Sequence, residues 1–218
     1  MNSYKNIRNK MAPGDVIAFG GNSLVSDVIK IATNSPVSHV GIVMQTKLVF
    51  NDQNFISMQA GQINMLIEST SLNGFSGVTI NRLSERIATY DGSIWWLPLS
   101  PTSKRKLDQK AFFDFLLCQD KKPYDSAQAI RSAMDAIDYM PMIGSLTFND
   151  EDFSKLFCSE LAAAGLEAGG LIKDINASEV TPADLCGFNI YAEMNTQICG
   201  DPQDIPNFNT VDPEGFGM

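Results

Sequence analysis

Apolar residues come in short runs through the first hundred positions and at helical spacing through much of the rest. Asp15 to Phe19 reads as a short apolar strand launched from a Pro13-Gly14 turn. Leu24, Val28, Ile29 and Ile31 recur at helix-like spacing, which predicts a helix over Ser23 to Ala32 with Ser23 or Asn22 as its N-cap. A turn at Asn34-Ser35-Pro36 delivers the chain into His39-Val40-Gly41-Ile42-Val43-Met44, a strand. Beyond a polar loop around Asn51 to Asn54, Ile63 to Glu68 reads as another strand. Two more β-like runs follow, at Val78 to Ile80 and Ile94 to Leu97.

The pattern then changes period. Ser100-Pro101 has the look of an N-cap with proline in the first turn, predicting a helix to about Cys118 with Leu107, Ala111, Phe115 and Cys118 on one face. Lys122-Pro123-Tyr124-Asp125 breaks it before a second helical or irregular segment. Phe157 to Leu166 is the next helix, closed by Gly169-Gly170, and Thr181-Pro182-Ala183-Asp184 has the capping pattern of a short helix start. The tail after Cys199, rich in Asp, Pro, Asn and Gly, reads as loop or disordered chain. Strands that come first and helices that come later predict an α+β domain around a single core, with an antiparallel sheet packed on helices. No repeat or linker divides it. The domain is expected over residues 12–190, with 191–218 as a partly irregular C-terminal extension.

Composition changes the picture mainly by exclusion. The 218 residues are 44% hydrophobic and 19% charged, with a formal net charge of -9. Such a charge works against binding a phosphate backbone, which needs clustered Lys and Arg. The one basic run, Lys104-Arg105-Lys106, reads as a solvated helix face. Nucleic acid and anionic membrane are therefore poor partners. No apolar run approaches the roughly 20 residues that span a bilayer, and the N-terminus lacks the apolar stretch of a secretory signal. The expected location is the cytoplasm, or release by lysis, in a bacterial or viral setting. Cys118, Cys158, Cys186 and Cys199 include no close pair at metal-ligand spacing, so they read as reduced thiols with neither metal nor cofactor implied.

Candidate chemistry centres on one of them. Cys158 stands immediately before the helix-forming run Ser-Glu-Leu-Ala-Ala-Ala. The first-turn N–H groups of a helix lack intrahelical partners, so they can lower a thiol pKa and face a developing oxyanion. His39 is the only histidine, so any imidazole base must be this one. If the strand of Val40 to Met44 pairs antiparallel with Met65 to Thr70, Glu68 comes close to His39 and is the candidate to orient it. Asp52 and Gln59 are weaker substitutes in the predicted loop.

At this point a set of motifs resembles a known family. Pro-Gly-Asp-Val-Ile-Ala-Phe (13–19), Ser-His-Val-Gly-Ile-Val (38–43), Leu-Ile-Glu (66–68), Pro-Tyr-Asp (123–125), Phe-Cys-Ser-Glu-Leu (157–161) and Thr-Pro-Ala-Asp-Leu (181–185) occur in that order. The order resembles the circularly permuted NlpC-type papain-like hydrolases, the YiiX-like group, related in turn to lecithin:retinol acyltransferase-like proteins. The resemblance implies a permuted papain-like fold in which the histidine strand precedes the cysteine helix. It implies Cys158 as nucleophile, His39 as base, Glu68 as orienting group and Tyr124 as a substrate-binding residue. The implied activity is hydrolysis of an amide by a cysteine peptidase or amidase, on a small peptide or acyl-amide such as a peptidoglycan stem peptide. Acyl transfer between lipids at the same site and a non-catalytic binding domain are the alternatives. The chain departs from the family pattern between His39 and Glu68, where residues 51–62 read as an insertion or an added flap.

Overall fold

The computed structural model describes residues 4–46, 63–72, 74–123 and 158–218. Among these the chain opens with α1 (Tyr4–Ile7) and a single 3-10 turn. It continues through β1 (Val16–Gly21), α2 (Leu24–Thr33), β2 (His39–Thr46), β3 (Ile63–Leu72), β4 (Phe75–Arg82) and α3 (Leu83–Thr89). Next come β5 (Gly92–Leu97), α4 (Pro101–Lys106), α5 (Gln109–Gln119), α6 (Cys158–Ala168), α7 (Pro182–Gly187) and β6 (Thr196–Cys199). The six strands form one antiparallel sheet in the order β4-β3-β2-β1-β5-β6. The fold is α+β, as the order of the patterns predicts.

Strand alternation divides the sheet into two apolar faces. Val16 and Ala18 of β1, Val40, Ile42 and Met44 of β2 and Ile67 of β3 share one cluster with Phe112 and Leu116 of α5, Ala162, Ala163 and Leu166 of α6 and Leu185 of α7. Ile17, Phe19, Val43 and Leu66 face the other way, onto Ile7, Met11 and Leu83. The helix α6 therefore lies on one face of β2 and β3, and α3 covers part of the opposite face.

Several local predictions hold at the level of single caps. Ser23 caps α2 by accepting from the Ser26 N–H. Thr181 and Asp184 form the reciprocal capping box that starts α7. Gly170 takes φ +68° beyond α6, and the Leu171 N–H returns to the Leu166 carbonyl, a left-handed stop that glycine adopts without strain.

Others need correction. The helix expected from Ser100 to Cys118 is two helices, because Asp108 turns its own side chain onto the N–H groups of Lys110 and Ala111 and starts α5 afresh. The break changes the helical phase, so Phe112 and Leu116 are buried while Cys118 is exposed. On α2 Ser26 and Ile29 are buried, while Leu24 and Ile31 are each 80% exposed. The basic run lies in the last turn of α4 and is not simply solvated. Lys104 pairs at 3.2 Å with the buried Asp15, and Lys106 donates to the Leu171 carbonyl at 2.9 Å. The tail after Cys199 is loop, yet an anchored one. Ile205 is buried, Phe208 stacks on Tyr191 at 5.5 Å and Phe216 meets Phe188 edge-on at 5.3 Å.

Candidate active site

β1 and β2 pair with Phe19 opposite His39, and the residue before His39 is pinned by a Ser38 N–H to Phe19 carbonyl bond of 2.8 Å. β2 pairs with β3 from Thr46/Ile63 up to Ile42/Ile67 and no further, while β3 runs on against β4 to Leu72. The Val43 N–H bonds to the Asp15 carbonyl on the β1 side, so by alternation the Val40 N–H points to the β3 side. The ladder has already ended there. That N–H instead donates to Cys158 Sγ at 3.4 Å. The parting of two strands thus opens the place where the first residue of α6 meets the first residues of β2.

Cys158 is 1% exposed, His39 3% and Glu68 0%. The imidazole lies on the α3 face of the sheet, tilted against Phe19 with ring centroids 5.4 Å apart. Its Nε2 donates to Glu68 Oε2 at 2.8 Å, since an ionised carboxylate only accepts. Its other nitrogen, Nδ1, is buried and is not engaged by Glu68. Burial opposes charge on the ring, but the negative charge and hydrogen bonding of Cys158, followed by those of Glu68, outweigh it and raise the His39 pKa from 6.5 to about 9. Glu68 moves the other way. Burial pushes its pKa up; the hydrogen bond and charge of His39, then the charge of Arg86, outweigh that and hold its carboxyl at about 2.

Glu68 is also surrounded by groups that sequence reasoning did not find. Asn81 Nδ2 of β4 donates to Oε1 at 3.1 Å, and Arg86 of α3 donates to both oxygens, Nε to Oε1 at 2.5 Å and Nη2 to Oε2 at 3.0 Å. The guanidinium carbon lies 5.5 Å from the ring centres of both Phe19 and Tyr90. Asn81 stands just past the predicted β-like run of Val78 to Ile80, Arg86 belongs to no element that hydrophobic spacing predicts, and a lone Arg beside Glu85 reads as exposed surface. The usable signal is the strand register, which puts Thr79 opposite Glu68 and so brings the following Asn81 and α3 to the same end of the sheet.

The three predicted site residues Cys158, His39 and Glu68 therefore lie together, although 119 positions of chain separate the outer two (158 − 39). Tyr124, the weaker candidates Asp52 and Gln59, and the 51–62 insertion lie outside the described residues. No disulfide joins the four cysteines, and Cys186 is buried on α7, where burial raises its thiol pKa. Among the described residues no group of three or more His, Cys, Asp or Glu is arranged to hold a metal ion, and no helix is long and apolar enough to cross a membrane.

No protein-family model and no curated protein matches the chain. Among solved structures it is similar to the crystal structure of the metalloprotein YiiX from Escherichia coli O157:H7, at 21% identity and a TM-score of 0.36. That match covers 53% of this chain and 53% of the other, so each is matched over about half its length.

Proposed function

We propose that the chain is a cysteine hydrolase that cleaves an amide bond through an acyl-enzyme on Cys158. The observation that carries the reading is the single imidazole of His39, hydrogen-bonded through Nε2 to a buried Glu68 and raised in pKa chiefly by Cys158. A histidine held on one side by a carboxylate and facing a thiol on the other is the arrangement that activates a nucleophile. In this reading His39 accepts the Cys158 proton on Nδ1, the nitrogen that Glu68 leaves unoccupied. The thiolate attacks the carbonyl carbon, the C–O π pair moves onto oxygen, and the N–H groups of the first turn of α6 stabilise that charge. Collapse expels the amine, which takes the Nδ1 proton. Water, deprotonated by the same nitrogen, then releases the acyl group and restores the thiol. Glu68 keeps Nε2 protonated throughout, so the proton moves only at Nδ1. The substrate class that fits is a peptide or another acyl-amide.

A small electrophile tests the site before any substrate is known. Iodoacetamide at neutral pH is expected to label Cys158 at least tenfold faster than Cys118, Cys186 or Cys199, and His39→Ala to remove that preference. Peptide mapping reads both. Equal slow labelling of Cys158 and Cys118 in the unaltered protein would sink the hydrolase reading and leave a binding domain.

A further inference from the structure

Among the described residues, Arg86 is the buried cation against the site that the hydrolytic cycle does not use. It is 8% exposed on a short helix, and its side chain ends against Glu68. A carboxylate offers about four lone-pair sites, two on each oxygen. Around Glu68 all four are taken: Oε1 by Arg86 Nε and Asn81 Nδ2, Oε2 by Arg86 Nη2 and His39 Nε2. The guanidinium is planar and binds both oxygens, so it fixes the plane of the carboxylate as a single-point donor cannot. Its own plane is held in turn by Phe19 below β2's first residue and by Tyr90 after α3. Phe19 also packs on His39, so one ring touches both groups that meet at Glu68.

We propose that Arg86 is a positioning residue for this site: its fork fixes the Glu68 carboxylate so that one lone pair faces His39 Nε2. The proposal rests on the hydrolase reading only for its consequence in the reaction, and the geometry it describes stands without that reading. The charged and titratable groups facing Glu68 are His39 from β2, Arg86 from α3 and Tyr90 after it, with Cys158 of α6 beyond the imidazole. Their charges alternate, Arg86 positive, Glu68 negative, His39 positive and Cys158 negative in the activated state, which a buried site tolerates better than an unbalanced set.

The single histidine makes the test direct, because the ring-proton spectrum belongs to one residue. In the unaltered protein the His39 Nε2–H is expected as a slowly exchanging, far-downfield proton signal. In Arg86→Met, shown to be folded by circular dichroism, that signal is expected to broaden or move upfield. The Glu68 carboxyl titration, followed by carbon-13 labelling, is expected to rise by one pH unit or more. Cys158 alkylation at pH 7 is expected to fall roughly tenfold. Arg86→Lys keeps the charge without the fork; it is expected to restore the carboxyl titration but to leave the Nε2–H signal displaced and alkylation at least threefold slow. Introducing Arg86→Met into a Glu68→Gln chain is expected to slow alkylation no further. A folded Arg86→Met with an unchanged His39 signal overturns the proposal. Should Arg86→Met not fold, an Arg86→Lys chain identical to the unaltered protein overturns it equally. The His39 signal reads Arg86 whether or not Cys158 proves reactive, so the two proposals fail separately.

Discussion

Glu68 accepts hydrogen bonds from three side chains on three elements, and the proton on His39 is the most sensitive consequence. The ring pKa is raised from 6.5 to about 9, so the folded state holds that proton more tightly than the unfolded chain does. Its contribution to stability is therefore complete below pH 6.5 and is lost as pH rises through about 9. The carboxyl behaves oppositely. Lowered from 4.5 to about 2, it contributes above pH 4.5 and ceases to do so as pH falls through about 2. Urea denaturation of the unaltered chain and of His39→Ala, run in parallel from pH 6 to pH 10, should show the stability difference between them shrinking across the alkaline range, by on the order of 3 kcal/mol. A difference that stays constant over that span would mean that the His39 proton contributes nothing.

At the scale of elements, the strand that carries His39 depends on a residue with no side chain. A Cβ on Gly41 would stand 2.8 Å from Leu66 Cδ1 and 2.9 Å from its Cγ, and Leu66 is fully buried. Gly41→Ala must therefore push Leu66, two residues before Glu68, away from β2. The expected cost is about 1–3 kcal/mol, as for other overpacked cores, with a lower thermal midpoint and slower Cys158 alkylation as β3 shifts. A chain with unchanged midpoint and alkylation would show that Leu66 yields freely. The same pair shows what the sequence makes legible. The apolar runs of β1, β2, β3 and β5 announce themselves, and the antiparallel pairing expected of Val40–Met44 agrees with the observed register of Ile42 on Ile67. The capping box at Thr181 is a local pattern and is read locally. The break between α4 and α5 is not, because Leu107-Asp108 contains neither Gly nor Pro and an Asp cap looks like any exposed acid. α3 is too short and too polar to show a periodic face, so Arg86 could not be placed beside Glu68 before the fold was known. The site's apolar frame is written in spacing; its polar closure depends on tertiary contacts alone.

For the whole molecule, the histidine and the cysteine come from different parts of the chain. His39, Glu68 and Arg86 come from residues before 90, while Cys158 comes from a helix that packs on α5, β2 and β3 and, towards the C-terminus, on α7. The helix α6 packs on α7, and α7 is clasped by the tail. The N–H groups of Thr210 and Val211 bond to the Gly187 carbonyl at 2.7 and 2.8 Å, and that of Asn209 to the Cys186 carbonyl at 3.2 Å. Phe216 covers Phe188, and its carbonyl takes the Asn176 N–H at 2.9 Å. Removing residues 206–218 would expose Phe188 and leave the end of α7 without these partners. At about 1 kcal/mol for each lost hydrogen bond, plus the apolar surface uncovered, the loss is several kcal/mol. For a chain of this size that corresponds to a fall of about 10 °C or more in thermal midpoint. The two halves of the site should respond unequally. The His39–Glu68–Arg86 cluster touches none of the removed residues, so its Nε2–H proton signal should persist below the new midpoint. Cys158 alkylation should slow or lose its preference, because α7, one of the elements that α6 packs on, loses its partners. If both readouts change together, the two faces form one cooperative unit and the tail supports the whole sheet, not the cysteine helix alone.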